Sequence, residues 1–269
     1  MCLEFRNLLG WTLDDALPLL ADWELCPEPR SAEHTQRETI YFRLESAGWR
    51  AAQGKLCVRY TRVCSAKVDI ATLMIYPTAG AARLPIFGAE WVVVGCHCTR
   101  LVLDVEPAAA HLPVSRQLGE HFAKLGQRWQ NVFPTDANMA QWFASIAQPW
   151  ALHSACAVEQ LPLLRQAYRE YLQAYINLVN LILPKVPSGA DTPEVAAYKR
   201  HHAEHSPGKP LMDRVFGPEW THRFLHETHF GVIQESSADS SLAVGGDTWL
   251  EAAPGVSPSS SSSPAARAY

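Results

Sequence analysis

Five short runs between Thr39 and Glu106, "TIYFRLES", "KLCVRYTRVC", "VDIATLMIYP", "EWVVVG" and "TRLVLDVE", are rich in Val, Ile, Leu, Tyr and Thr and are separated by turn-prone breaks. Branched and aromatic side chains suit a pleated, half-buried surface, so the runs predict strands. Their short connections predict a meander and hence an antiparallel sheet. Before them, Asp14–Trp23 has helical apolar spacing. From Arg116 onward the period changes to that of helices. The clearest case is "EQLPLLRQAYREYLQAYINLVNLIL", in which Leu161, Leu164, Tyr168, Tyr171, Tyr175 and Val179 fall at three- and four-residue steps on one face. This predicts a long helix ended by Pro184. A second helix is expected over Pro193–His202. A third should open at Gly217-Pro218, because proline fits the first helical turn. Strands followed by helices imply a three-layer α/β/α sandwich with a central antiparallel sheet flanked by helices.

Beyond Phe230 the pattern thins to "SSADSSLAVGG" and "SPSSSSSPAARAY", too polar, small and proline-interrupted to bury a core. The expected organisation is a single domain over 1–230 and a mostly disordered Ser/Pro-rich tail over 231–269. No internal repeat is visible.

Composition narrows the function. The chain has 269 residues, 48% hydrophobic and 19% charged, a globular balance without an apolar run of the roughly 18 residues that a membrane span needs. The opening "MCLEFRNLLGWTLDDALPLL" lacks a basic region followed by a continuous apolar stretch and a cleavage site, so it reads as an amphipathic helix and not a signal peptide. The protein is expected to be soluble, monomeric and not secreted. Seven cysteines without paired spacing fit reduced thiols and no disulfide framework. A net charge of −4 gives no general reason to hold nucleic acid.

Most candidate motifs reduce to ordinary structure. "CHC" at Cys96–Cys98 lacks the second ligand pair of a zinc site, so no metal is expected. Cys96 and His97 on a hairpin would point in opposite directions, which weakens a nucleophile pair. "GAEWVVVG" has neither dinucleotide nor phosphate-loop spacing. The cluster "YKRHHAEHSPGK" holds Lys199, Arg200 and Lys209. It is either a solvated helix end or a docking surface for an acidic protein or ligand carboxylates. Glu90, between "LPIFGA" and "WVVV", is either an edge residue facing water or an acid in a partly apolar site, where desolvation raises its pKa.

Two separated stretches carry a resemblance. "LMIYPTAGAARLPIFGAEWVVVG" followed by "LVLDVEP", and "HSPGKPLMDRVFGPEWTHRFLHETHF" far downstream, resemble the ferredoxin-dependent bilin reductases over about Lys55–Phe230. The resemblance implies an α/β/α sandwich that binds an open-chain tetrapyrrole between the sheet and the C-terminal helices. It implies reduction by electrons from ferredoxin, a 2Fe-2S protein, through substrate radicals, with no flavin or metal bound by the enzyme. The substrate would be biliverdin IXα or 15,16-dihydrobiliverdin, in a plastid if the source is eukaryotic and in the cytoplasm if it is cyanobacterial. Glu90 falls on the family's catalytic aspartate, with Thr72 and Phe87 as substrate-binding candidates. Ser206 falls where the family carries a second aspartate, and neighbouring His205 is the expected replacement for that acid. Thr72 stands where phycocyanobilin-forming members carry histidine. This points instead to the members that form dihydrobiliverdin, phycoerythrobilin or phytochromobilin. Lys199, Arg200 and Lys209 would then form part of a ferredoxin docking site. A bilin-binding protein without catalysis and a red chlorophyll catabolite reductase-like enzyme are the alternatives.

Overall fold

In chain order the elements are α1 (Trp11–Leu19), β1 (Cys26–Pro27), α2 (Ala32–Thr35), β2 (Gln36–Glu38), β3 (Arg43–Ala51), β4 (Leu56–Cys64), β5 (Val68–Pro77), β6 (Ile86–Val94) and β7 (His97–Glu106). There follow α3 (Val114–Gln130), α4 (Gln141–Ala144), β8 (Leu152–Ala157), α5 (Leu161–Ile182), α6 (Pro193–His205), α7 (Lys209–Phe216) and α8 (Pro218–Arg223), which runs on into a π-helical stretch, Phe224–His229. This computed structural model describes residues 7–78, 84–107, 114–136, 139, 141–144, 146–185, 193–206 and 208–231. Apart from Gly231, the tail expected over 231–269 lies outside the described residues.

Among the described residues the strands form one eight-stranded antiparallel sheet, ordered β1-β3-β4-β5-β6-β7-β8 with β2 also paired to β3. The five strands expected from the meander are β3 to β7, and β5 keeps the predicted bounds. β8 lies in the part of the chain that reads as helical. Its six residues are too few to show a period of their own and are held as a strand by pairing with β7. α7 also went unpredicted, and α6 runs three residues past His202.

Both sheet faces are covered. Alternate residues of β4 to β8, among them Val58, Leu73, Phe87, Trp91 and Leu103, pack with α1, α3 and α5 in the larger core. The other alternate set, including Val63, Met74, Tyr76 and Ile86, packs with residues of α6, α7, α8 and the π-helical stretch. This is why β4 is buried along its whole length. The predicted stripe of α5 is buried throughout, and its tyrosines carry their hydroxyls to backbone carbonyls. Tyr168 donates to Thr12 O at 2.7 Å, Tyr171 to Trp150 O at 2.5 Å and Tyr175 to Pro85 O at 3.1 Å. The aromatic bodies add apolar area, while the hydrogen bonds remove the cost of burying a hydroxyl.

The helix at the start of the chain is tied to the sheet by charge. Asp69 on β5, fully buried, accepts from the backbone N–H groups of Leu8 and Leu9 at 2.7 and 3.1 Å and from Arg62 Nε at 2.9 Å. Asp15 on α1 holds Arg165 of α5 by two bonds of 2.6 and 2.7 Å.

Candidate active site

The two-residue period of a strand decides which side chains share a face. Thr61 on β4, Thr72 on β5, Glu90 on β6, Val102 on β7 and His153 on β8 are successive cross-strand partners, so they form one row across the sheet. The next row holds Arg59, Met74, Gly88 and Asp104, and beyond it Ile86 faces Glu106. These rows look away from α1 and α5. Facing them are Tyr198, His202 and Ser206 along α6 and its end, with Met212, Phe224 and His229 further on. The intervening cavity measures about 1160 Å³, its open mouth included. Gly88 keeps its floor low, because a Cβ there would stand 3.3 Å from the Met74 thioether.

Carboxyls dominate the polar groups on the floor. Glu90 lies 3.7 Å from Arg100, and its side chain keeps 23% of its area open. Desolvation nevertheless outweighs the guanidinium and raises its pKa. Asp104 is buried and accepts from the N–H groups of Val105 at 2.7 Å and Gln148 at 3.1 Å. Burial pushes it up to about 7 against those two bonds. Glu106 is raised well above its usual range by burial and by Asp104 beside it, and it accepts a 2.6 Å bond from the Tyr198 hydroxyl. The site thus holds acids that stay protonated towards neutral pH, the state required of a general acid.

The histidines around the cavity have the opposite tendency. Burial lowers His202 and His229 to about 3, and His229 Nδ1 lies 2.8 Å from Thr61 Oγ1. His153, lowered by burial and then by Arg100, has an Nδ1 without a hydrogen-bond partner among the described residues. Neutral imidazoles and hydroxyls set among apolar walls suit a large, conjugated ligand with a few polar edges. Among the described residues no three His, Cys, Asp or Glu side chains gather where they could hold a metal ion.

The site residues expected from sequence divide. Glu90, Thr72 and Ser206 line the cavity together. Phe87 does not. It is three residues from Glu90 on the same strand, so it points to the opposite face, where its ring packs against Tyr168 and Tyr175 at centroid distances of 6.1 and 5.4 Å. The expectation of a substrate contact there is corrected. His205 is exposed, with Nδ1 2.8 Å from His201 O and its ring against that of His201, whereas His202 faces the cavity. The helical step places 198, 202 and 206 in line and turns 205 away. Of the basic cluster, Arg200 is exposed and Lys209 is paired with Asp213 at 2.6 Å. Lys199 is buried, its ammonium 5.3 Å from the centroid of the Tyr76 ring, so it cannot present charge to a partner.

Asp104 and Glu106 were not singled out from sequence, although "LDVE" showed two acids at strand period in an apolar run. His153 and His229 carried no local signal.

The chain matches the family described as "Ferredoxin-dependent bilin reductase" over residues 30–231. It is 25% identical over 237 residues to phycoerythrobilin:ferredoxin oxidoreductase of Prochlorococcus marinus (strain MIT 9211), covering 81% of this chain and 91% of that one. It is 26% identical over 186 residues to 15,16-dihydrobiliverdin:ferredoxin oxidoreductase of Gloeobacter violaceus, covering 64% of this chain and 72% of the other. Its fold is that of tomato phytochromobilin synthase, solved in complex with biliverdin, with a TM-score of 0.69 at 15% identity over 85% of this chain and 83% of that one. Since the family match spans most of the sequence and includes both halves of the acid-lined cavity, the chain belongs to the ferredoxin-dependent bilin reductases.

Proposed function

We propose that the cavity between the sheet and α6 to α8 takes a biliverdin-type open-chain tetrapyrrole and that Glu90 donates a proton to it as electrons arrive from ferredoxin. The observation that carries this reading is the mostly enclosed, desolvated carboxyl of Glu90 in mid-sheet, on the row that includes Thr72 and His153. Reducing a C=C bond takes two electrons and two protons. A ferredoxin with a 2Fe-2S centre supplies one electron at a time, so the protein's share is to hold the bilin, exclude water and deliver protons. Thr72, directly across the strand pair from Glu90, is placed to hydrogen-bond the ligand's polar edge there.

The reaction we favour is one two-electron reduction. The Ser206 hydroxyl cannot act as a carboxylic acid, so a four-electron sequence would lack an acid at that end of the cavity. Arg200, exposed on α6, is the part of the basic cluster that remains available to an acidic electron donor, since Lys209 is paired with Asp213.

The test is anaerobic mixing with biliverdin and, separately, with 15,16-dihydrobiliverdin, followed by reduced ferredoxin. A spectral change on mixing reports binding. A second change and a single dihydro product after ferredoxin support the proposal, and a four-electron product overturns the single-step part of it. Ser206 also motivates the reading of a bilin binder without catalysis, which predicts the first spectral change without the second.

A further inference from the structure

A two-electron reduction takes up two protons, and one carboxyl can hold only one of them. Besides Glu90, the cavity is lined by the carboxyls of Asp104 and Glu106, which stand at i and i+2 on β7 and so share a face. Glu90 lies opposite Val102, and Glu106 lies four residues further along β7, a displacement of about 13 Å. The two acids therefore address different parts of any long ligand in the cavity.

We propose that Glu106, held by Tyr198 and two residues beyond Asp104 on the same face of β7, delivers the second proton of the reduction. The proposal rests on the bilin-reductase reading above. Conjugation along the tetrapyrrole lets the two protons enter at separated atoms. The balance is bilin plus two electrons from two reduced ferredoxins plus one proton from each glutamic acid. Two carboxyl O–H bonds break, two bonds to hydrogen form on the chromophore, and both carboxylates are then reprotonated from solvent.

Two features of the geometry and one of the electrostatics support a proton-donating role. Tyr198 donates to Oε1 of Glu106 at 2.6 Å, which leaves the carboxyl's own proton on Oε2. The hydrogen bond also fixes the rotamer of the acid against a wall of the cavity. Finally, Asp104 is close enough to disfavour a second negative charge, so the pair holds at least one proton readily, as two neighbouring carboxyls do. The titratable groups on the pair's own side of the sheet are Tyr198 with His202 from α6, Tyr76 from β5 and His153 from β8, while Tyr171 of α5 feels the charge of Asp104 from the other face. The main-chain N–H groups of Val105 and Gln148 hold Asp104. β6 presents Gly88 and Ile86 to them, neither of which titrates.

The experiment compares wild type, Glu106→Gln, Glu106→Asp and Tyr198→Phe in bilin affinity, in ferredoxin-driven turnover and in the pH dependence of kcat. Glu106→Gln should bind the bilin about as wild type does while turnover falls roughly 10²-fold, with the one-electron-reduced bilin persisting as an organic radical. Glu106→Asp should recover part of the rate. In Tyr198→Phe the carboxylate loses a donor that stabilises its charged form, so the basic limb of the kcat profile should move up by about one pH unit. A merely structural role would leave that limb in place. Wild-type turnover with an undiminished rate in Glu106→Gln overturns this proposal alone. Loss of bilin affinity in Glu106→Gln, in step with the rate, also overturns it by assigning the residue to binding. Wild-type protein that turns over no bilin overturns both this and the functional reading.

Discussion

The Arg100 guanidinium stands 3.7 Å from the Glu90 carboxyl, on the neighbouring strand, and the cation does not reverse the effect of burial on the acid. Desolvation raises the pKa of Glu90, and Arg100 lowers it by a smaller amount. If Glu90 is the proton donor proposed above, Arg100 sets in part how readily it releases its proton. Arg100→Gln should raise the pKa further. Because a general acid works only when protonated, the basic limb of the pH profile should move to higher pH, with bilin affinity as the control. A limb unchanged in Arg100→Gln would remove Arg100 from this role.

Glu90→Gln keeps size and hydrogen-bonding capacity but cannot donate a carboxylic proton. Bilin binding should remain and anaerobic turnover with reduced ferredoxin should fall by roughly 10²-fold or more. An unchanged rate would exclude Glu90 as the proton donor.

Ligand-free stability should fall as pH rises through neutrality. Asp104 binds a proton in the folded state up to about pH 7, and burial and Asp104 shift Glu106 in the same upward direction, whereas the unfolded chain releases both near pH 4. The folded state then holds more protons, so the stability these groups contribute is complete below about pH 4 and is lost as pH rises through about 7. The buried histidines, lowered on folding, act in the opposite sense, and only up to about pH 6.5. Thermal unfolding midpoints should accordingly decline between about pH 6.5 and 8. Asp104→Asn should flatten that decline, and the difference between the two proteins isolates the carboxyl from the histidines common to both.

Asp69→Ala should be among the most destabilising single changes. It leaves the buried Arg62 without its carboxylate and removes the acceptor for two N–H groups at the start of the chain. A loss of about 3–5 kcal/mol in denaturant unfolding is expected. A value near the 0–1 kcal/mol of a surface pair would refute this account.

Arg200→Glu should weaken the response of turnover to ferredoxin and leave bilin affinity unchanged, with an effect that shrinks as salt rises, since exposed charges are screened over about 10 Å at 0.1 M. Lys199→Glu should instead lower the unfolding midpoint, because its ammonium packs over Tyr76 inside the fold. Equal effects of the two reversals on ferredoxin dependence alone would contradict that placement.

Local pattern determined a large part of this protein. Strand period and turn chemistry were sufficient for β3 to β7, and the spacing of Leu161, Leu164, Tyr168, Tyr171, Tyr175 and Val179 was sufficient for α5 and its buried face, because both signals arise within a few residues. The acid at Glu90 was legible for the same reason, as a carboxyl set in an apolar run. Parity within one element was also legible, and it separates Phe87 from Glu90 and His205 from Ser206: strand residues three apart face opposite ways, and adjacent helical residues diverge by about 100°. Tertiary structure decided what meets across elements. Strand register put Thr61, Thr72, Glu90, Val102 and His153 in one row, and the packing of α6 brought Tyr198 onto Glu106. It also decided which of two adjacent cations is buried, and which carboxyls keep their protons. These properties depend on the solvent excluded by residues distant in sequence, and no local pattern encodes that exclusion.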